Sequence, residues 1–350
     1  MNRLLCRSRT VAELIEYLTH PTPIVMMGEI LLGCLTFATV LVWSLAAAKP
    51  QVKLGEVKTK IKAWWLMGSI FFAAVAITNS LSYLAILLLC YLALKEYFTL
   101  IPTQLADRGA LMWSYLVIPV HFLFIYTHWW DMFLLFIPVY VFLLIAIREI
   151  LTGETKDFIA RTSRIFWGLM LFVYCLSHMA YLLAKDQEYP EGPPYGRQML
   201  LFLVFLTEFN DVCAFTFGKL FGRHKMAPTV SPNKTWEGFI GGVACATLGG
   251  GLLRFLTPFH IGPAMALGLL IGVAGVLGDL CTSSIKRDMG VKDASQFIPG
   301  HGGVMDRVNS LTFSAPLFFH AVNYFAYSPR PPWIETVHQW LFEHLPWLMS

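Results

Sequence analysis

The fold class predicted for this chain is all-α: a polytopic transmembrane helical bundle of about ten spans, with polar active-site loops on the cytoplasmic side. Three observations carry the prediction. Of 350 residues, 56% are hydrophobic and only 14% charged, against roughly 25% charged in ordinary soluble domains. Apolar runs of the about 20 residues needed to cross a bilayer recur along the sequence. Between them stands a compact ionisable block, residues 283–310, where each charge at bilayer depth costs several kcal/mol unless it is paired, hydrated or used.

Taken in order, the candidate spans are 24–48, 62–78, 80–98, 111–127, 132–148, 165–184, 198–218, 238–256, 261–281 and 311–328. The second and third are short and meet at a turn of Thr78, Asn79 and Ser80. Trp64, Trp65, Trp129 and Trp130 stand at predicted span ends, where amphipathic rings favour the headgroup layer. Before the first span, Arg3, Arg7 and Arg9 are followed by Glu13, Glu16 and a proline, unlike a cleaved signal peptide, so the terminus is expected to be retained. After Pro331 and Pro332, the spacing of Trp333, Val337, Trp340, Leu341 and Leu345 predicts an interfacial amphipathic helix. The expected organisation is an N-terminal extension with one added span (1–58), a membrane domain (59–328) and an interfacial tail (329–350).

With ten spans, one set of loops collects nineteen of the 26 lysines and arginines, which makes that side cytoplasmic. The 219–237 and 283–310 segments both fall there. No charge run is long enough for a nucleic-acid arm. The cysteines at 6, 34, 90, 175, 213, 245 and 281 lack the spacing of a zinc or redox site and read as small core residues.

Two polar segments carry the chemistry. Glu208 and Asp211, three residues apart on one helix face, interrupt the end of a span. Beyond them come Gly218, Lys219, Gly222, Arg223 and Lys225, then Ser231, Pro232, Asn233, Lys234 and Thr235 just before a helix opening near Trp236 and Glu237. Glycines, cations and a helix N-terminus are the tools for holding phosphate. In the second segment Asp279 closes a span, and Asp306 follows a Pro299-Gly300-His301-Gly302-Gly303 turn with Lys286, Arg287, Lys292 and Arg307 interleaved. Hard carboxylates hold Mg²⁺, and cations neutralise the remaining phosphate charge. There is no P-loop or nucleophile elbow. The chemistry indicated is phosphoryl or nucleotidyl transfer by positioning and charge, with no covalent enzyme intermediate.

Ser284, Lys286-Arg287, Lys292-Asp293, Pro299 to Gly303, Asp306-Arg307 and Ser310 together resemble the signature of the phosphatidate cytidylyltransferases, the CDP-diacylglycerol synthases. Asp211 with Ala214-Phe215 and Phe217-Gly218-Lys219, the run Ser231 to Gly238, Gly278-Asp279-Leu280 and Leu94-Lys95-Glu96-Tyr97 are similar to that family's other blocks, so the likeness covers about residues 60–328. It implies transfer of CMP from CTP to phosphatidic acid in a dimeric, Mg²⁺-dependent enzyme of the bacterial inner membrane. Asp279 and Asp306 then correspond to metal-binding acids, with K⁺ sharing the site, and Lys286, Arg287, Lys292 and Arg307 to groups that hold triphosphate and lipid phosphate. Asp293 falls within the catalytic block. Asp211, Lys219, Ser231, Asn233, Lys234, Thr235, Glu237, Ser284 and His301 fall to substrate binding, although an imidazole bonded within its own turn explains His301 equally well.

One residue departs from the pattern: Asn309 stands where the family has a second acid after Asp306. A paralogue with a shifted acceptor is therefore open, as is a scaffold that binds lipid without turnover. A CTP-dependent polyprenol or phytol kinase would release CDP instead of pyrophosphate. A transporter using Glu29, Glu208 and Asp211 would not call for the clustered glycine and lysine loops.

Overall fold

A computed structural model of the protein describes residues 22–48, 55–188, 195–295 and 302–324. His301, the N-terminal arginines and the predicted C-terminal tail lie outside these residues. The chain falls into two units, residues 1–76 and 77–350.

In the first unit, α1 (Pro23–Ala48) and α2 (Gly55–Ile77) run antiparallel. Gly28 lies under the Phe72 ring, Trp65 Nε1 donates to Thr39 Oγ1 at 3.0 Å, and the Lys58 ammonium stands 5.3 Å from the centre of the Trp43 ring. Leu32, Phe37 and Val40 are exposed on α1, the outward apolar face of a helix in lipid.

The second unit opens with α3 (Asn79–Leu100), capped by Thr78, whose Oγ1 accepts from Leu81 N. The expected turn between the second and third spans is this cap. After a 3₁₀ turn at Leu105–Asp107 come α4 (Arg108–Tyr126) and α5 (Trp130–Ile150). α5 takes a π-helical course over Phe136–Val141, at Pro138, whose ring has no N–H to give the ladder. α6 runs through Phe158–Leu169, a π-helical stretch Met170–Cys175 and Leu176–Glu188. The α3–α4 and α5–α6 connections are locked by buried Arg161, which pairs with Asp107 at 2.9 Å and with Glu149, and donates to the Lys156 carbonyl at 3.0 Å.

α7 (Tyr195–Phe221) leads into a hairpin of β1 (Lys225–Ala227) and β2 (Ser231–Thr235), paired antiparallel, then α8 (Trp236–Leu252) and α9 (Ile261–Asp288). A single turn, α10 (Met305–Val308), precedes α11 (Leu311–Val322). Small residues bring these helices close, as membrane packing requires. At Gly250 a Cβ would lie 2.4 Å from the Ala264 carbonyl, and at Gly268 one would lie 2.3 Å from that of Ala246.

The protein is thus an all-α polytopic membrane protein, with the small hairpin as an addition that hydropathy does not reveal. Among the described residues, eight helices are long and apolar enough to cross a membrane. The predicted spans 62–78 and 80–98 are fuller than read, as α2 and α3. The predicted span 238–256 is the 17-residue α8, and the described part of 311–328 is the 12-residue α11. Among the described residues six cysteines are free. Cys90 is buried as expected, whereas Cys34 is exposed on the lipid-facing side of α1.

Candidate active site

α7 and α9 run parallel because α8 returns between them, so the C-terminal ends of both meet the hairpin. At 1.5 Å per residue each extends about 40 Å, beyond the about 30 Å of hydrocarbon. α9 carries no charged residue before Asp279, so the overhang is C-terminal and Asp279 stands about 27 Å along the helix, at the edge of the apolar layer. Asp211 occupies the matching level of α7, with Glu208 one turn deeper.

The hairpin is built on this end. β2 contains Pro232, tolerated because each strand of a two-stranded ribbon has a free edge. Thr235 closes the strand and caps α8, its Oγ1 accepting from Gly238 N at 3.2 Å. The Glu237 carboxylate accepts from His224 Nδ1 at 2.6 Å, Arg223 N at 3.0 Å and His224 N at 3.2 Å. The His224 bond, followed by that from Arg223 N, holds its carboxyl down at about 2. On the other side, Arg287 reaches from α9 to donate to the carbonyls of Val230 at 3.1 Å and Val291 at 2.8 Å. Lys234 is thereby presented inward.

Two rungs join α9 to the turn at 302–310. In the first, Asp279 Oδ2 pairs with Lys234 Nζ at 2.6 Å, while Oδ1 accepts from Asn309 Nδ2 at 2.6 Å and Ser283 Oγ at 3.4 Å. The next residue, Ser310, donates its hydroxyl to Asp211 Oδ2 at 2.7 Å and its N–H to Asn309 Oδ1 at 2.8 Å. Adjacent residues of one turn therefore hold both carboxylates, Asp211 and Asp279. In the second rung, two helical turns along α9, Lys286 Nζ meets Asp306 Oδ1 at 2.6 Å. Asp306 Oδ2 accepts from Ala294 N at 2.9 Å and Gly303 N at 3.0 Å. Both partners are buried. Asp306 is thus fully engaged within the protein, whereas the first rung is partly open to solvent.

The other predicted residues separate by exposure. Lys292 and Asp293 are exposed beside the second rung. Ser231 is half-buried and Asn233 exposed on β2. Ser284 is exposed and donates to the Leu280 carbonyl of its own helix at 2.9 Å. Lys219 lies outside the rungs, its ammonium 5.9 Å from the Phe215 ring centre. Arg307 is half-buried, with Nε lacking a hydrogen-bond partner. Among the described residues no three His, Cys, Asp or Glu side chains converge as a ready metal cage.

Sequence reasoning missed Glu96 as a member of the site. Its carboxylate accepts from Ser295 Oγ and Met305 N, both at 2.8 Å. The only signal was an acid in an apolar helix, within a segment noted for its resemblance and given no role. It likewise gave no partner to Ser310 or Asn309, whose contacts appear only once the turn meets α7 and α9.

Carboxylates, ammonium groups and a guanidinium thus gather at one end of a bundle of apolar helices. Residues 58–325 match the model of the cytidylyltransferase family, and the chain belongs to that family. It is 40% identical over 288 residues to YnbB, an uncharacterized protein of Escherichia coli K12, covering 82% of this chain and 93% of that one. It is 38% identical over 153 residues to a phosphatidate cytidylyltransferase of Staphylococcus aureus and 37% identical over 153 residues to one of Staphylococcus epidermidis. Each of these matches covers 43% of this chain and 59% of the relative.

Proposed function

We propose that this protein transfers CMP from CTP to phosphatidic acid, forming CDP-diacylglycerol and pyrophosphate, from the cytoplasmic face of a bacterial inner membrane and as a homodimer. The observation that carries the reading is the first rung: Asp279 and Asp211 held side by side by Asn309 and Ser310, with Lys234 against Asp279, at the level where a lipid headgroup lies. Attack by a phosphatidate oxygen on the α-phosphorus makes one P–O bond and breaks that to the β-phosphate, so the lipid supplies the nucleophile and the protein need not.

The donor set fits a hard cation at Asp279 and Asp211, since carboxylate oxygens suit Mg²⁺ and an ammonium already takes a cation's place on Asp279. Mg²⁺ bound there supplies charge neutralisation for the triphosphate, and K⁺ beside it would need the same acids. Asp306, expected as the second metal ligand, suits fixing the turn, because it is buried with both oxygens on protein donors, whereas Asp279, also bonded through both oxygens, is partly open to solvent and can exchange Lys234 for a metal. Lys234, freed from Asp279, lies within the flexible reach of its own stem for a phosphate oxygen. Arg307 in the turn and Lys292, exposed by the second rung, carry further positive charge, and Lys286 keeps the turn anchored to α9. Asn309 presents a neutral amide to Asp279 where the family pattern has an acid, so the acceptor is best tested across several lipid phosphates.

The test is incubation of the purified protein in bilayers with labelled CTP, Mg²⁺ and phosphatidate. Lipid-linked CMP with equal pyrophosphate is expected, and none without Mg²⁺. CDP with a newly phosphorylated lipid would replace this reading with a kinase. Intact CTP with every lipid phosphate would replace it with a silent lipid-binding paralogue.

A further inference from the structure

We propose that Glu96 is a positioning residue of this centre, fixing the turn that presents Arg307, Asn309 and Ser310; the inference deepens the transferase reading above and rests on it. Glu96 lies on α3, 199 residues from Ser295 and 209 from Met305 in sequence, yet it accepts a hydrogen bond from each. Asp306 makes the complementary pair of bonds, to Ala294 N and Gly303 N. The two carboxylates therefore clasp neighbouring points of the same two stretches of chain, 294 and 303 by one, 295 and 305 by the other.

The paired glycines are the imprint of this clasp. A Cβ on Gly303 would lie 2.3 Å from Glu96 Oε2, and one on Gly302 would lie 2.6 Å from Asp306 Oδ2. Gly302 also has φ +82°, a conformation that favours glycine. Each carboxylate thus occupies the space a side chain would fill.

Both bonds to Glu96 come from neutral donors, so its work is acceptance rather than charge. A glutamine can keep its oxygen on Met305 N–H and donate its amide to the Ser295 hydroxyl, which accepts as readily as it donates. Glutamine should rescue the site, and alanine should not.

The full chain in detergent is compared as wild type, Glu96→Gln, Glu96→Ala and Ser295→Ala, by amide exchange at residues 302–306 and by kcat/KM for CTP with phosphatidate. In Glu96→Ala, loss of both bonds, together worth about 1.4 kcal/mol, raises exchange about tenfold and lowers kcat/KM at least as much, while Glu96→Gln stays within about threefold on both. Ser295→Ala, which spares the Met305 bond, gives a smaller rise of about threefold and decides the matter if Glu96→Ala does not fold. Unchanged exchange in Glu96→Ala, or in Ser295→Ala where that variant alone folds, overturns the proposal, as does a glutamine variant as impaired as alanine. Exchange needs no turnover, so an inactive wild type would count against the transferase reading and leave Glu96 to be decided separately.

Discussion

Replacing both members of the buried pair Lys286 and Asp306, singly and together, reads the second rung as an energy. In Asp306→Asn, the side-chain oxygen satisfies either Lys286 or the two backbone N–H groups of Ala294 and Gly303, and never both sets. Its best choice is the backbone pair, which leaves a buried ammonium without a counter-ion at a cost of about 3–5 kcal/mol. Lys286→Met leaves the carboxylate two N–H bonds but no cation, at the lower end of the same range, about 3 kcal/mol. In the double variant no charge remains, the introduced amide oxygen accepts from both N–H groups, and one amide donor facing the introduced thioether is left unmet, at about 1–3 kcal/mol. The double variant should therefore be more stable than the sum of the singles by about 3 kcal/mol or more, at the top of the usual coupling range. Unfolding in mixed dodecyl maltoside and dodecyl sulfate micelles, followed by circular dichroism, gives all three values. Additivity within about 0.5 kcal/mol would refute the assignment of Asp306 as an internally satisfied anchor.

Asp279→Asn removes the charge facing Lys234, and lipid-linked CMP formation should fall at least about a hundredfold, as for other lost transition-state electrostatics; a variant keeping more than about a tenth of wild-type turnover would remove Asp279 from the chemistry. Gly303→Ala should push the Glu96 carboxylate off Ser295 and Met305, because its Cβ would lie 2.3 Å from Glu96 Oε2, whereas Gly290→Ala, with open space around it, should cost only the about 1–2 kcal/mol of its positive φ; amide exchange at residues 302–306, rising only in the first, separates the two. Glu237 has its carboxyl held at about 2 against an ordinary 4.5, so its bonds to residues 223 and 224 contribute fully above pH 4.5 and are lost as pH falls toward 2. Rate-corrected amide exchange at Arg223 and His224 should rise only below that threshold in the wild type, and already at neutral pH in Glu237→Ala.

What the sequence disclosed followed from the physics of one dimension. Hydropathy finds a membrane helix because every backbone polar group must be satisfied within it, so α3, α7 and α9 were legible. Asp279 stood out because an ion at the end of an apolar run is costly unless used, and Lys234 because it stands among hydroxyls and an amide just before a helix N-terminus. The hairpin was not legible: Ser-Pro-Asn-Lys-Thr has the residues of a turn, and β2 exists because β1, the Thr235 cap and Arg287 hold it in place. The clasp of Glu96 and Asp306 was hidden for a related reason. Neither acid reveals in sequence which backbone N–H groups it will meet, and for Glu96 the partner Met305 is 209 residues away. Gly302 and Gly303 marked a sharp turn or a close approach of the backbone there, without showing to what.

The overhang of α7 and α9 sets Asp211 and Asp279 at the edge of the apolar layer, and this changes how the reactants are to be counted. On the proposed reading, a phospholipid arrives there by lateral diffusion with its acyl chains still solvated by their neighbours, whereas a nucleotide arrives from bulk water. Abundance of the first is a surface density and of the second a molarity. Diluting the bilayer with an inert lipid at constant total phospholipid starves the enzyme of acceptor. Adding more vesicles of the same composition does not feed it.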